Sequence, residues 1–408
     1  MRVLLLAVSY PPVLNSAARI FAELAEGLRE YGHSVTVLTE KPKRYVSEET
    51  AATARIAAAE IANGIHVVHL SPFPFPKHIP CLRAVEQLVS LPRYAARGHR
   101  LGKFDFVIAY SPPLTLAIAA ALIAHRGGGK AIANIQDPYP KSAVDLGLLS
   151  NPILVRMGEW MERWVYRHVD AITVHAEGMR AHVVEHGGAK EQVHVIPNWI
   201  DLHRFSPGPR ENAFRQAHDL GNAFVISYAG VMGFAQQVED ILEAAEQLQP
   251  LVPEALFLLA GGGVALPRLK KLVAEKKLTN VRFLAHLPEA EYLELLRASD
   301  VCLVTLARKL RTPVIPGKLA CIMGVGRAVV CCVPETSGAR QLVEEAGCGA
   351  WVPSGDPGLL AAALLQIYRN PEARADMEDS ARRYAETWLS SERGIGQYSE
   401  ILDSLASQ

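Results

Sequence analysis

Short apolar runs alternate with amphipathic stretches along most of this chain, beginning with RVLLLAV (2–8), AARIFAELAEGLREYG (17–32) and HSVTVLT (33–39). Within the second stretch Ile20, Leu24 and Leu28 fall on one helical face, and Gly32 supplies a stop. The flanking runs are short and uniformly apolar and read as buried strands. HVVHL (66–70), FDFVIAY (104–110), KAIANIQD (130–137), DAITVHA (170–176) and QVHVIPN (192–198) continue the series. Strands joined through helices by short loops require right-handed crossovers, so the first half should form a parallel sheet.

A second series begins near residue 220. It runs AFVISYAG (223–230), a helix from about 236, ALFLLAGGG (255–263), VRFLAHL (281–287), DVCLVTL (300–306) and RAVVCCV (327–333), with a helical region beyond about 356. NWIDLHRFSPGPRE (198–211), rich in proline, glycine and polar residues, reads as the linker between the two series. A chain of 408 residues exceeds a comfortable single core. The expected fold is therefore α/β, with two Rossmann-like, doubly wound halves.

Composition narrows the partners. The 42 basic and 42 acidic residues cancel, so net charge implies no nucleic-acid partner. The six cysteines form no C-x-x-C pair, which suits reduced thiols in a cytosolic protein. MRVLLLAVSYPPV begins like a signal peptide, but its apolar run breaks at Ser9 and Pro11, as a first strand would. LTLAIAAALIAH (114–125) is too short to span a bilayer. A soluble, cytoplasmic chain is expected.

Open parallel sheets bind ligands off the carboxyl ends of their strands, so the loops there are the informative ones. SYPPVLNSAAR (9–19) leads into a helix of small residues. Amides near Ser16 can approach an anion there, with Arg19 adding charge a turn later, although an ordinary turn explains the same residues. YAGVMGFAQQVED (228–240) and LLAGGGV (258–264) place Gly230, Gly233, Gly262 and Gly263 directly after strands. Neither is a dinucleotide fingerprint, but together at one sheet edge they suggest a phosphate or sugar cradle. In IPGKLACIMGVG (315–326), Lys318 opens a short helix, where dipole and ammonium can act together on a diphosphate; a solvated first-turn lysine is the alternative. Asp137, in IQDPYPKSAVDLG (135–147), either serves an acceptor hydroxyl as positioner or base, or caps its own loop. No H-E-x-x-H, EF-hand, P-loop, G-x-S-x-G or D-x-D pattern occurs, and the fourteen histidines show no clear metal spacing.

Taken in order, these segments resemble a retaining glycosyltransferase of family 4 with the GT-B fold, over nearly the full length. RIFAELAEGLREYGHSVTVLT is similar to that family's first helix and second strand, and VHVIPNWIDLHRF to its junction signature, with Asn198 and Asp201 in the usual places. YAGVMG, LLAGGG, VRFLAHLPEAEYLELLRASDVCLVTL and ETSGARQLVEEAGCGAWVPSGD follow in the family's order. DPYPKSAVDLG and IPGKL resemble a bacterial branch of cell-surface polysaccharide synthesis that includes N-acetylfucosamine transferases.

The resemblance implies two Rossmann-like domains facing a central cleft. Residues 1–205 would bind the acceptor and 206–385 the nucleotide sugar, with a terminal helix over 386–408 returning to the first domain. The implied reaction moves a sugar from a UDP donor to a polyprenyl-linked or other saccharide acceptor, with retention and without a metal or other cofactor. Asp137 and Lys318 would carry catalysis. Ser16, Gly230, Gly233, Gln236, Gly262, Gly263, His286, Leu287, Lys318, Cys321 and Glu335 would face the donor, and Arg19, Asp137 and Lys141 the acceptor.

Two family features are replaced. The frame of two glutamates flanking seven residues falls on Pro313 and Cys321, and Phe234 and Gln236 stand where a basic pair is common. A thiol is a poor ribose acceptor, so Glu335 is expected to substitute and Lys318 to hold more of the diphosphate. A non-catalytic GT-B subunit that binds a partner transferase, and a GT-B sugar-nucleotide epimerase, remain as alternative readings. Finally, KHIPCLRAVEQLVSLPRYAARGHRLGK (77–103) and GEWMERWVYRHVD (158–170) have compositions that suit helices lying on anionic lipid. Packing on the sheet with snorkelling arginines suits the second equally. Peripheral contact with the inner face of the cytoplasmic membrane is expected mainly from the first.

Overall fold

The computed structural model describes residues 1–13, 15–41, 58–71 and 80–407, the side chains of 80–87 excepted. The chain divides into two compact units, Met1–Asn198 with Ser391–Gln408, and Trp199–Ser390. These junctions fall a few residues away from the expected 205/206 and 385/386. Where the chain enters and leaves the second unit, the Ile200 amide donates to the Leu389 carbonyl at 2.8 Å.

The first unit runs β1 (Arg2–Leu6), α1 (Ser16–Glu30), β2 (Ser34–Glu40), β3 (Ala59–Ala62), β4 (Ile65–Leu70), α2 (Pro80–Arg100) and β5 (Phe106–Ser111). It continues through α3 (Leu114–Gly127), β6 (Lys130–Ile135), α4 (Lys141–Asp145), α5 (Pro152–His168), β7 (Ala171–Val174), α6 (Glu177–Glu185) and β8 (Val193–Val195). Asn15 starts α1 by accepting the Ala18 amide at 2.8 Å, and Ile20, Phe21, Leu24 and Leu28 bury its inner face. The strands form one eight-stranded sheet in the order β3-β4-β2-β1-β5-β6-β7-β8.

Every pair in that sheet is parallel except β3 with β4, which corrects the expectation of a wholly parallel sheet. The reason is local. Asn63 and Gly64 join the two strands as a two-residue turn, and both have positive φ, +52° and +77°. That geometry matches the twist of a hairpin, and Asn-Gly is its preferred sequence.

The second unit runs α7 (Ala213–Ala217), β9 (Phe224–Val231), α8 (Glu239–Leu248), β10 (Ala255–Gly262), α9 (Leu266–Glu275), β11 (Val281–Leu284) and α10 (Glu289–Ala298). Then follow β12 (Val301–Thr305), α11 (Lys318–Val325), β13 (Ala328–Val333), α12 (Gly338–Ala346), β14 (Gly349–Pro353), α13 (Pro357–Arg369) and α14 (Pro371–Trp388). All six strands are parallel, in the order β11-β10-β9-β12-β13-β14. Ile226, Phe257 and Leu259 pack with Ile241 and Leu242 of α8 and Leu360 and Leu364 of α13 in the core. The last helix, α15 (Ser391–Ala406), belongs to the first unit. Its buried Tyr398 hydroxyl accepts from Asn134 Nδ2 at 2.8 Å and lies 2.7 Å from Thr173 Oγ1, fastening it over β6 and β7.

Candidate active site

In the second unit the strand order reverses between β9 and β12. Ligand crevices of open α/β sheets lie at such reversals, beyond the carboxyl ends. Two glycine loops and a helix start meet there. β9 ends through Tyr228 and Gly230, β10 ends at Gly262, and α11 opens at Lys318 after the Gly317 cap. Strand alternation puts Tyr228 and Gly230 on one face. Lys318 Nζ lies 3.8 Å from the Tyr228 ring centroid, and the Tyr228 hydroxyl donates to the Val231 carbonyl at 2.6 Å.

The glycines are required by these approaches. A Cβ on Gly230 would stand 2.9 Å from Lys318 Nζ, on a backbone whose φ is +145°. At Gly261, with φ +129°, it would stand 2.0 Å from the Gly230 carbonyl oxygen. Gly262 faces open space, with nothing within 4 Å of the same added atom.

Lys318 as a residue is half-buried, but its Nζ is shielded from solvent and has no hydrogen-bond partner. Burial lowers its pKa to about 7, opposed in part by neighbouring Cys331. A desolvated amine without an acceptor, bordered by glycine backbone at a sheet reversal, is suited to receive an anion.

The other residues expected to face the donor have these surroundings. Gln236 Oε1 accepts the Gly233 amide at 3.2 Å, so this side chain closes its own loop. Cys321 is buried in α11, its thiol directed at the Gly317 carbonyl 3.8 Å away. Glu335 is exposed after β13 and accepts from Arg340 at 2.7 Å. Gly263 ends the second glycine loop beside the Met232 carbonyl. His286 and Leu287 follow β11, at the far end of the strand order from β14. Tyr228 was not expected, although an aromatic two residues before a glycine at a strand end shares that glycine's face.

In the first unit, Ser16 is exposed at the start of α1, and Arg19 pairs with Glu23 at 3.1 Å. Asp137 lies just past β6 with its pKa raised to about 6, mainly by burial. A hydrogen bond from Ser142 lowers it and the Asp145 charge raises it. Lys141 is engaged by Asp145 at 3.0 Å, so Asp137, Lys141 and Asp145 form one small charged group at α4. Tyr110, at the end of β5, feels the Asp137 charge and has its own pKa raised, first by burial and then by that carboxylate.

The histidines show no clear metal spacing along the sequence, but the fold brings two of them to one carboxylate. His182 and His186 come together with Glu162, their ligand-type atoms within 4.8 Å of one another. Four-residue spacing at the end of α6 aligns the two rings, whereas Glu162 arrives from α5, beyond the reach of a local spacing pattern. Among the described residues, no helix is long and apolar enough to cross a membrane.

Comparison with known proteins places this geometry in a family. Residues 16–199 match the glycosyl transferase 4-like domain, and residues 210–384 match glycosyl transferases group 1. The chain is 27% identical to the glycosyl transferase WcaI of Escherichia coli K12, named for colanic acid biosynthesis, over 98% of each chain. It is 26% identical to the glycosyltransferase named WbjE of Pseudomonas aeruginosa, over 68% of each. Among solved structures, Anabaena HepE in complex with UDP has the same fold, with a TM-score of 0.74 over 99% of this chain and 100% of that one, at 16% identity. Matched along both units, the chain belongs to the family 4 glycosyltransferases of the GT-B fold.

Proposed function

We propose that this glycosyltransferase moves a sugar from a UDP-sugar to a lipid-linked saccharide, with retention, in cell-surface polysaccharide synthesis. The observation that carries the reading is the solvent-shielded, unbonded Nζ of Lys318 beside Gly230. Charge develops on a departing diphosphate, and a fixed cation in a water-poor site stabilises it most. The naming of WcaI for colanic acid biosynthesis supports the pathway class, and the UDP and UDP-glucose complexes of HepE support the nucleotide. No cofactor enters the proposal, since the UDP-sugar is a substrate. Incubating the purified chain with UDP-sugars and a polyprenyl-linked saccharide tests it, with product configuration read by NMR. Transfer with the donor's configuration is expected. Release of an altered sugar nucleotide without acceptor would instead indicate an epimerase, and UDP binding without turnover a non-catalytic subunit.

Asp137 is proposed as the group that orients the acceptor hydroxyl and takes its proton. Its carboxylate form is needed for that role and is lost as pH falls through about 6. The acid limb of kcat/KM should therefore bend near that value. Asp137→Asn should lower kcat by about 100-fold or more and remove the bend. An unchanged profile in the variant would reject the assignment. At the ribose, Glu335 could act only by sharing or releasing Arg340.

Membrane contact is proposed at α5 as well as α2. Ile153 and Trp160 are 74% and 60% exposed, beside exposed Leu154, Met157, Arg156 and Arg167, while Glu162, Val165 and Tyr166 face inward. Leu88 and Val89 are exposed on α2, and residues 77–79 lie outside the described residues. Apolar side chains flanked by arginines suit the inner, anionic leaflet. Sedimentation with anionic vesicles should fall about tenfold for Trp160→Glu; equal sedimentation of variant and wild type would remove α5 from the contact.

A further inference from the structure

We propose that Glu162, His182 and His186 form a site for a divalent transition-metal ion of the zinc type, clamping α5 to α6. The two histidines stand one helical turn apart, and their rings stack with centroids 4.0 Å apart and planes 27° from parallel. Glu162 Oε1 comes from α5 to within 2.9 Å of His182 Nε2. Glu162 and His182 are buried and His186 is half-buried, which leaves the third ligand on the side from which an ion would enter.

Two outer contacts favour a ligand role. His186 Nδ1 lies 2.8 Å from the His182 carbonyl, and an N–H donated there leaves the Nε2 lone pair free for a metal. The Tyr166 hydroxyl donates to Glu162 Oε1 at 2.9 Å, the kind of bond that orients a coordinating carboxylate. Two imidazoles and a carboxylate, with water as a fourth ligand, suit zinc rather than calcium or magnesium, which prefer oxygen. Without the ion, the same atoms form a Tyr–Glu–His hydrogen-bonded chain with a proton on His182 Nε2. Binding needs the neutral ring with its proton on Nδ1, so that proton moves from Nε2 to Nδ1 through solvent as the metal–nitrogen bond forms and the imidazole stays neutral. None of these residues belongs to the donor or acceptor groups described above, so the ion acts on the anchoring of α5.

The test uses the full chain without a histidine tag, stripped with EDTA and titrated with Zn2+ by calorimetry and with Co2+ by visible absorption. One ion per chain, tetrahedral Co2+ bands and a rise in Tm of a few degrees in excess Zn2+ are expected. His186→Ala should weaken Zn2+ binding by at least about 100-fold, since even outer partners of metal ligands are worth 10–100-fold. Half-buried His186 can be removed without opening the core, and Glu162→Gln serves as a second variant that retains its shape. Absence of a Tm rise in the wild type, or equal Zn2+ affinity in wild type and His186→Ala, overturns the site and leaves the hydrogen-bonded chain alone.

Discussion

Lys318→Met should weaken UDP binding roughly 100-fold while leaving the chain at least as stable as the wild type near pH 6.5. The loss follows from removing a cation that would bond a diphosphate, since each hydrogen bond to a charged group is worth about 1.5–3 kcal/mol. The retained stability follows from the same burial. Lys318 titrates near 7 when folded, against an ordinary lysine value of about 10.4 in the unfolded chain. Between those values the unfolded state holds more protons, so stability rises with pH from about 7 toward 10. Below about 7 both states are charged and the cost of the buried ammonium is full. Methionine has similar length and no charge, so it removes that cost. Calorimetric UDP titration beside a thermal melt separates the two effects; a large fall in Tm would show that Lys318 supports the fold.

Gly261→Ala should destabilise the second unit by about 3 kcal/mol or more, the sum of backbone strain and a contact that side chains cannot relieve. The added methyl would fall 2.0 Å from the Gly230 carbonyl oxygen, on a backbone with φ +129°. Movement of either strand end would shift Gly230, which itself sits against Lys318. Gly262→Ala is the matched control, because its methyl meets nothing within 4 Å and Gly262 is not among the positive-φ residues. It should change the denaturation midpoint little. Equal midpoints for the two variants would mean that β9 and β10 do not approach so closely.

The strand and helix alternation was legible because burial on both faces of a parallel sheet leaves continuous apolar runs, such as FVISYAGV and ALFLLAGG. The β3–β4 hairpin was legible in principle through Asn63-Gly64, but AEIA is short and carries no apolar alternation to announce it. Lys318 was readable as a helix-start cation, whereas the loss of water around Nζ depends on Tyr228 and Gly230, which are distant in sequence. Gln236 and Glu335 sit in expected loops, yet their partners are Gly233 and Arg340. Loop position says which edge a side chain occupies, and competition among nearby donors decides where it points. For the same reason Glu162 could not be assigned to His182 and His186 before α5 and α6 were packed together.

The central claim is that an initially desolvated Lys318 becomes the cation of a diphosphate site. It is tested most directly by titrating UDP into the wild type and Lys318→Met between about pH 7 and 9, where the UDP phosphates are already ionised. Binding the ionised diphosphate should return a proton to Lys318, so wild-type affinity should fall by up to about tenfold per pH unit above 7, with proton uptake in calorimetry, and the variant should show neither. Wild-type affinity that is level across this range, or a slope shared by both proteins, would contradict the claim.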